Sequence, residues 1–143
     1  MYYELLKPNE TVTADVYRRQ LNTLNDVLLQ KRPAIASNRR KVILLHDNAR
    51  PHVARIVKDR LLQLEWEVLP HPAYSPDIAP SDYHLFRSIQ HGLADTRYRN
   101  AEEVRKKLDD WIAAKPTSFF RHGIAMLPER WHKVIENEEK YFD

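Results

Sequence analysis

Apolar residues at Val16, Tyr17, Leu21, Leu24 and Leu28 recur at the spacing of one helix face. Thr13 stands where an N-cap belongs and Pro33 closes the stripe, so a helix is predicted between them. Before it, Met1-Tyr2-Tyr3-Glu4-Leu5-Leu6 reads as a short strand ended by the turn residues Lys7-Pro8-Asn9. Residues 34–40 read as a polar, basic connection. The period then changes. Val42-Ile43-Leu44-Leu45 are consecutive apolar residues, which predicts a strand buried on both faces. Pro51 suits the first turn of a helix whose inner face carries Val53, Val57, Leu61 and Leu64. Trp66-Glu67-Val68-Leu69 is a second strand, so residues 42–69 form a βαβ unit with parallel strands.

Four prolines, at 70, 72, 76 and 80, mark an extended loop. Ser81 is placed to cap a helix running to about Leu93. Asn100 and Glu103 have the spacing of a capping box, followed by the stripe Ala101, Val104, Leu108, Trp111 and Ile112. Two further helices are predicted to begin near Pro116 and Pro128, the second carrying Trp131, Val134 and Ile135. Trp66, Trp111 and Trp131 all fall on apolar stripes and are expected in the core rather than as base-stacking platforms. Strand–helix units followed by helices give an α/β architecture whose sheet is incomplete on its N-terminal side.

Composition adds bounds. The 143 residues suit one domain, 1–143, and 43% hydrophobic with 30% charged residues describes a globular chain rather than a disordered one. The run Val42–Leu45 is far too short to span a bilayer, and no signal peptide is visible. Without cysteine there is neither a disulfide framework nor a thiolate metal site, so an intracellular protein is expected. Two glycines exclude a Gly-rich phosphate loop. The net charge of +3 is unevenly spread. Residues 31–60 hold nine Lys or Arg against Asp47 and Asp59. Such a segment suits a polyanion-facing surface, although composition alone favours a solvated helix face with a basic loop.

Two carboxylates carry the candidate chemistry. Asp47 closes the buried strand, and ligand sites of open α/β sheets form beyond the carboxyl ends of strands. Asp47-Asn48 also suits a simple Asx turn into the following helix. Asp82 lies in the first turn of its helix, with Leu85, Phe86, Ile89 and Leu93 continuing the same stripe. A first-turn acid gains from the helix dipole, but that does not explain a core-facing side. Were the two carboxylates to converge at one sheet edge, they would suit hard cations such as Mg²⁺, as in two-metal phosphodiester chemistry.

The surrounding residues are more specific. His46-Asp47-Asn48-Ala49-Arg50-Pro51-His52, then Leu69-Pro70-His71-Pro72-Ala73-Tyr74-Ser75-Pro76-Asp77-Ile78-Ala79-Pro80-Ser81-Asp82-Tyr83-His84-Leu85-Phe86, closely resembles the signature of mariner-type DNA transposases. The 34 residues between Asp47 and Asp82 match that family's spacing between its second and third catalytic aspartates. The likeness runs from Tyr2-Tyr3-Glu4-Leu5-Leu6 to Lys140-Tyr141-Phe142. It implies a partial RNase H-like fold lacking the N-terminal strands, and a cut-and-paste reaction on transposon ends and target DNA. It also implies Mg²⁺ or Mn²⁺ held by Asp47 and Asp82, a homodimeric intact protein and a nuclear location. Asp77, in the same signature, is expected to structure the loop. The family's first catalytic aspartate and its helix-turn-helix domains precede this region, so the chain alone is expected to bind metal weakly and not to cut DNA. A non-catalytic DNA-binding or assembly module is the alternative.

Other residues fit less well. The seven histidines match no HExxH or finger spacing, and no G-x-S-x-G exists for a serine hydrolase. Lys31, Arg32, Arg39, Arg40 and Lys41 are the best candidates for phosphate contacts, which give affinity without sequence choice. Arg50 and His52, in the turn that presents Asp47, are further candidates for DNA contact.

Overall fold

The structure is a computed structural model that describes residues 1–72, 74–94 and 97–142. Ala73 of the signature lies outside the described residues. The chain divides into two compact units, Tyr2–Tyr74 and Ser75–Asp143.

The first unit is built on the helix α1, Ala14–Lys31, which starts where Thr13 Oγ1 accepts the Val16 N–H at 3.3 Å. Asp15 in its first turn and Lys31 in its last suit the helix dipole. Pro33 ends it as expected, but the connection that follows is not wholly irregular: Pro33–Ala36 forms one helical turn, α2. Strand β1, Ile43–Leu44, pairs in parallel with β2, Glu67–Val68, through Ile43↔Glu67 and Leu44↔Val68. Helix α3, Arg50–Val53, and helix α4, Arg55–Leu64, connect them, giving the predicted βαβ order. Leu21, Val57, Leu61 and Trp66 form a buried cluster, with Tyr17, Leu24, Leu28, Val42 and Leu44 packed around it. Glu65 ends α4 in the left-handed region (φ 58°, ψ 32°). Its N–H bonds the Leu62 carbonyl, and that of Trp66 the Leu61 carbonyl, a Schellman end sealed by the Leu61–Trp66 contact.

Three expectations are corrected here. Residues 2–6 do not enter the sheet, which among the described residues has only β1 and β2, so no strand lies alongside to take their backbone hydrogen bonds. Strand β1 is not buried on both faces: Ile43 is 61% exposed, because the cluster covers only the face bearing Val42 and Leu44. The helix expected from Pro51 is two helices, because Ala54 takes an extended conformation (φ −61°, ψ 146°) between them.

In the second unit a 3₁₀ turn, Pro76–Ile78, leads into a wide π-type turn, Ser81–Phe86, continuous with helix α5, Arg87–Leu93. Ser81 is not the N-cap; Pro80, already helical, fills that position without a side-chain cap. Helix α6, Ala101–Ala114, begins as predicted, with Asn100 Oδ1 accepting the Glu103 N–H at 3.0 Å. The reciprocal bond runs from the Arg99 N–H to Glu103 Oε2 at 2.9 Å, one residue earlier than in an ideal capping box. Helices α7, Thr117–Ala125, and α8, Leu127–Phe142, start at the predicted prolines. Trp66 is buried and Trp111 half-buried, but Trp131 is 36% exposed, since α8 is covered only in part.

Candidate functional site

Asp47 follows β1 by three residues and opens the turn into α3. Its Oδ1 accepts the Ala49 N–H at 3.0 Å, so the Asx turn is formed. The same oxygen lies 2.7 Å from His52 Nδ1, which is also 3.3 Å from the Asp47 carbonyl. With acceptors on both contacts, Nδ1 carries the proton and the carboxylate receives it. The Ala49 hydrogen bond first, and His52 beside it, hold the Asp47 carboxyl below its ordinary value, against a smaller opposing effect of burial. The side chain remains 58% exposed, and both contacts fall on Oδ1. One carboxylate oxygen is thereby oriented and the other left open.

Histidines and a tyrosine wall this turn. The His52 ring lies parallel to His46, with centroids 5.0 Å apart, and 4.1 Å from the Tyr17 ring. Burial and neighbouring His52 lower the His46 pKa, so His46 is neutral and its Nδ1 accepts the Tyr17 hydroxyl at 2.8 Å. Burial and the Asp47 charge push the Tyr17 hydroxyl up to about 12. Asn48 Nδ2 donates to the His71 carbonyl at 2.7 Å, tying the turn to the segment after β2. His71 is 8% exposed, and its Nδ1 is buried without a hydrogen-bond partner among the described residues. Sequence reasoning assigned no role to Tyr17 or His71. A hydroxyl on an apolar stripe, and a histidine between Pro70 and Pro72, were the available signals.

Asp82 belongs to the second unit. It is exposed, not core-facing, and Phe86 of the same expected stripe is 55% exposed. The physical reason is the wide turn, whose i→i+5 pitch takes side chains off α-helical spacing. Of the signature's loop residues, Ile78 is buried, and the Asp77 carbonyl accepts Arg130 Nη1 at 3.0 Å.

Carboxylate oxygens are hard donors of the kind Mg²⁺ and Mn²⁺ take, and the exposed Asp47 carboxylate, held by its own turn, leaves room for the waters such ions keep. No cluster of three or more metal-ligating residues exists among the described residues. The basic candidates Lys31, Arg32, Arg39, Arg40 and Lys41 are all exposed, from the end of α1 to the approach to β1. Arg39 Nε donates to Ser37 Oγ at 2.9 Å. Arg50 is exposed at the start of α3, whereas His52 faces Asp47.

Residues 1–38 match a family model described as a transposase, partial DDE domain. Over all 143 residues the chain is 53% identical to the mariner Mos1 transposase of Drosophila mauritiana, and it spans 41% of that protein's length. Two structures of the Mos1 transposase catalytic domain with Raltegravir, one with Mg and one with Mn, superpose with a TM-score of 0.94 at 56% identity. Each match covers 99% of this chain and 71% of the other. The Mos1 strand transfer complex matches with a TM-score of 0.89 at 55% identity, covering 99% of this chain and 40% of that one. The fold is therefore the RNase H-like one of the Mos1 catalytic domain, represented here by a parallel pair and its helices. With the signature intact around both aspartates, this chain belongs to the mariner family of DNA transposases.

Proposed function

We propose that this chain forms part of the catalytic domain of a cut-and-paste transposase, one domain to which both compact units contribute. In this reading Asp47 and Asp82 hold Mg²⁺ or Mn²⁺ for phosphodiester hydrolysis and strand transfer at transposon ends. The observation that carries it is Asp47 at the carboxyl end of β1, one carboxylate oxygen fixed by Ala49 and His52 and the other open. Bound divalent ions supply the activation of a water or 3′-hydroxyl and the neutralisation of the leaving oxygen. The chain's own residues do the rest. The Asx turn holds Asp47 in one orientation, His52 donates to the same Oδ1, and His46 and Tyr17 keep the His52 ring in place. Asp82 offers its carboxylate from an exposed position at the start of its helix.

Lys31, Arg32, Arg39, Arg40 and Lys41, with Arg50, supply phosphate contacts to transposon-end and target DNA. The intact protein acts as a homodimer in the nucleus. Calorimetric titration with Mn²⁺ tests the metal reading: Asp47→Asn and Asp82→Asn each weaken binding by about tenfold or more. An unchanged affinity in either variant removes that residue from the site. For DNA, alanine at each phosphate-contacting cation lowers the salt slope of binding by about one.

The Mos1 strand transfer complex supports the joining step for this chain, and the Mg and Mn structures of the Mos1 catalytic domain support the choice of ion. A non-catalytic DNA-binding module is the second reading. It predicts DNA affinity that is indifferent to both aspartates.

A further inference from the structure

Two residues that follow Asp82 reach out of their own turn to helix α7, and we infer that Gly123 is a positioning residue for the Asp82 segment. The Tyr83 hydroxyl donates to the Gly123 carbonyl. His84 Nε2 lies 2.7 Å from the Phe119 carbonyl, so that nitrogen carries the proton and donates it. Phe119 and Gly123 are four residues apart, which puts the two accepting carbonyls on one face of α7, a turn apart. The His84 ring also stacks on Phe119, with centroids 4.3 Å apart. From α8, the Arg130 guanidinium sits 3.9 Å over the Tyr83 ring while its Nη1 holds the Asp77 carbonyl. The π-type turn is clamped through its neighbours, and Asp82 itself is left exposed.

Gly123 is where the clamp closes. It is buried and has no positive φ, so backbone freedom does not explain a glycine there. Clearance does. A Cβ at this position would meet the His84 ring, with Cγ at 2.8 Å and Nε2 at 3.1 Å. The ring cannot swing away without losing both the Phe119 hydrogen bond and the stack. A single methyl group on α7 would therefore push on the turn that carries Asp82. π-type turns of this kind recur at functional sites, where an altered pitch aims particular side chains.

The consequence for metal binding rests on reading Asp82 as a ligand; the clamp itself does not. The test uses the whole chain as wild type, Gly123→Ala, Tyr83→Phe, Asp82→Asn and the double variant of Asp82→Asn with Gly123→Ala. Free Mn²⁺ is followed by electron paramagnetic resonance, and the order of residues 81–86 by amide hydrogen exchange. Gly123→Ala is expected to speed exchange across the turn about tenfold. It is also expected to weaken Mn²⁺ binding about tenfold, the scale seen when a group orienting a metal ligand is lost. Tyr83→Phe removes one hydroxyl without adding bulk, and shifts both readouts the same way by less. In the Asp82→Asn background, Gly123→Ala weakens Mn²⁺ no further.

Unchanged exchange in both Gly123→Ala and Tyr83→Phe overturns the positioning role, as does full additivity in the double variant. If Asp82→Asn alone leaves Mn²⁺ affinity intact while Gly123→Ala still speeds exchange, the clamp is supported and the metal reading of Asp82 fails.

Discussion

The two units hold their aspartates in opposite ways. In Tyr2–Tyr74 the Asp47 carboxylate is itself gripped, by Ala49 and His52, above a dense apolar cluster of Leu21, Val57, Leu61 and Trp66. In Ser75–Asp143 the Asp82 side chain makes no hydrogen bond or ion pair among the described residues; its neighbours are fixed instead, by directional contacts to two carbonyls and an arginine. The buried apolar residues there, Ile78, Leu108 and Leu127, come from three separate segments. One aspartate is thus placed by packing plus a local turn, the other by a few polar anchors. A packed cluster is weakened by lost volume, in proportion to what is removed. An anchor of two or three hydrogen bonds is weakened by the loss of a single donor or acceptor.

The largest effect that would sharpen this contrast is in the cluster. Leu61→Ala should cost about 2–5 kcal/mol of stability, measured by urea denaturation, because it empties a filled site between α1 and α4. A loss below about 1 kcal/mol would mean that the first unit is no better packed than the second. Next comes His52→Ala. It should weaken Mn²⁺ binding by about tenfold while leaving the fold intact, since His52 orients the Asp47 carboxylate. Equal weakening with a large drop in stability would recast His52 as a core residue.

Asn100→Ala should destabilise α6 by about 1 kcal/mol, read as a shift in Tm, through loss of the Glu103 N–H acceptor. Thr13→Ala, losing a longer 3.3 Å bond at α1, should cost no more.

Two pH effects are smaller. The folded Asp47 pKa is lowered, so its stabilisation is present above the ordinary carboxylate value and is lost as pH falls through the depressed one. Asp47→Asn should therefore flatten the acid limb of the stability curve below about pH 4. Tyr17 has the opposite sign: raised from 10.0 to about 12, its contribution is full below 10 and lost as pH rises through 12. An ultraviolet titration should show a tyrosine ionising near 12 that Tyr17→Phe abolishes. If all tyrosines titrate together near 10, the Tyr17–His46 wall is absent from the solution structure.

Much of this was legible in the residue pattern, for reasons that differ by element. Helix α1 and helix α6 announced themselves because cap and stripe agree within each, from Thr13 to Leu28 and from Asn100 to Ile112. The parallel pair followed from two short apolar runs flanking a helical stripe. The second face of β1 was not readable, since a run of four apolar residues looks alike whether one or both faces are covered. The left-handed end of α4 escaped notice because the signal for it is a glycine and the residue is Glu65. Around Asp82 the failure was one of period: α-helical spacing was applied to a turn that is wound wider. His71 and Tyr17 owe their places beside Asp47 to tertiary contacts across the unit, which local spacing does not encode.

The break at Ala54 separates two mechanical tasks. Val57 and Lys58 start a fresh hydrogen-bond ladder on the Ala54 carbonyl, while His52 and Val53 close theirs on Ala49. The short segment bearing His52 is therefore a joint, able to keep its aim when the longer helix behind it settles against the core. Amino-acid changes beneath α4 would be absorbed at that joint before they reach the carboxylate. The break is not one of propensity, since alanine is the best helix former; were Ala54 drawn into helical geometry, the two segments would be welded and shifts of the core would be felt at Asp47.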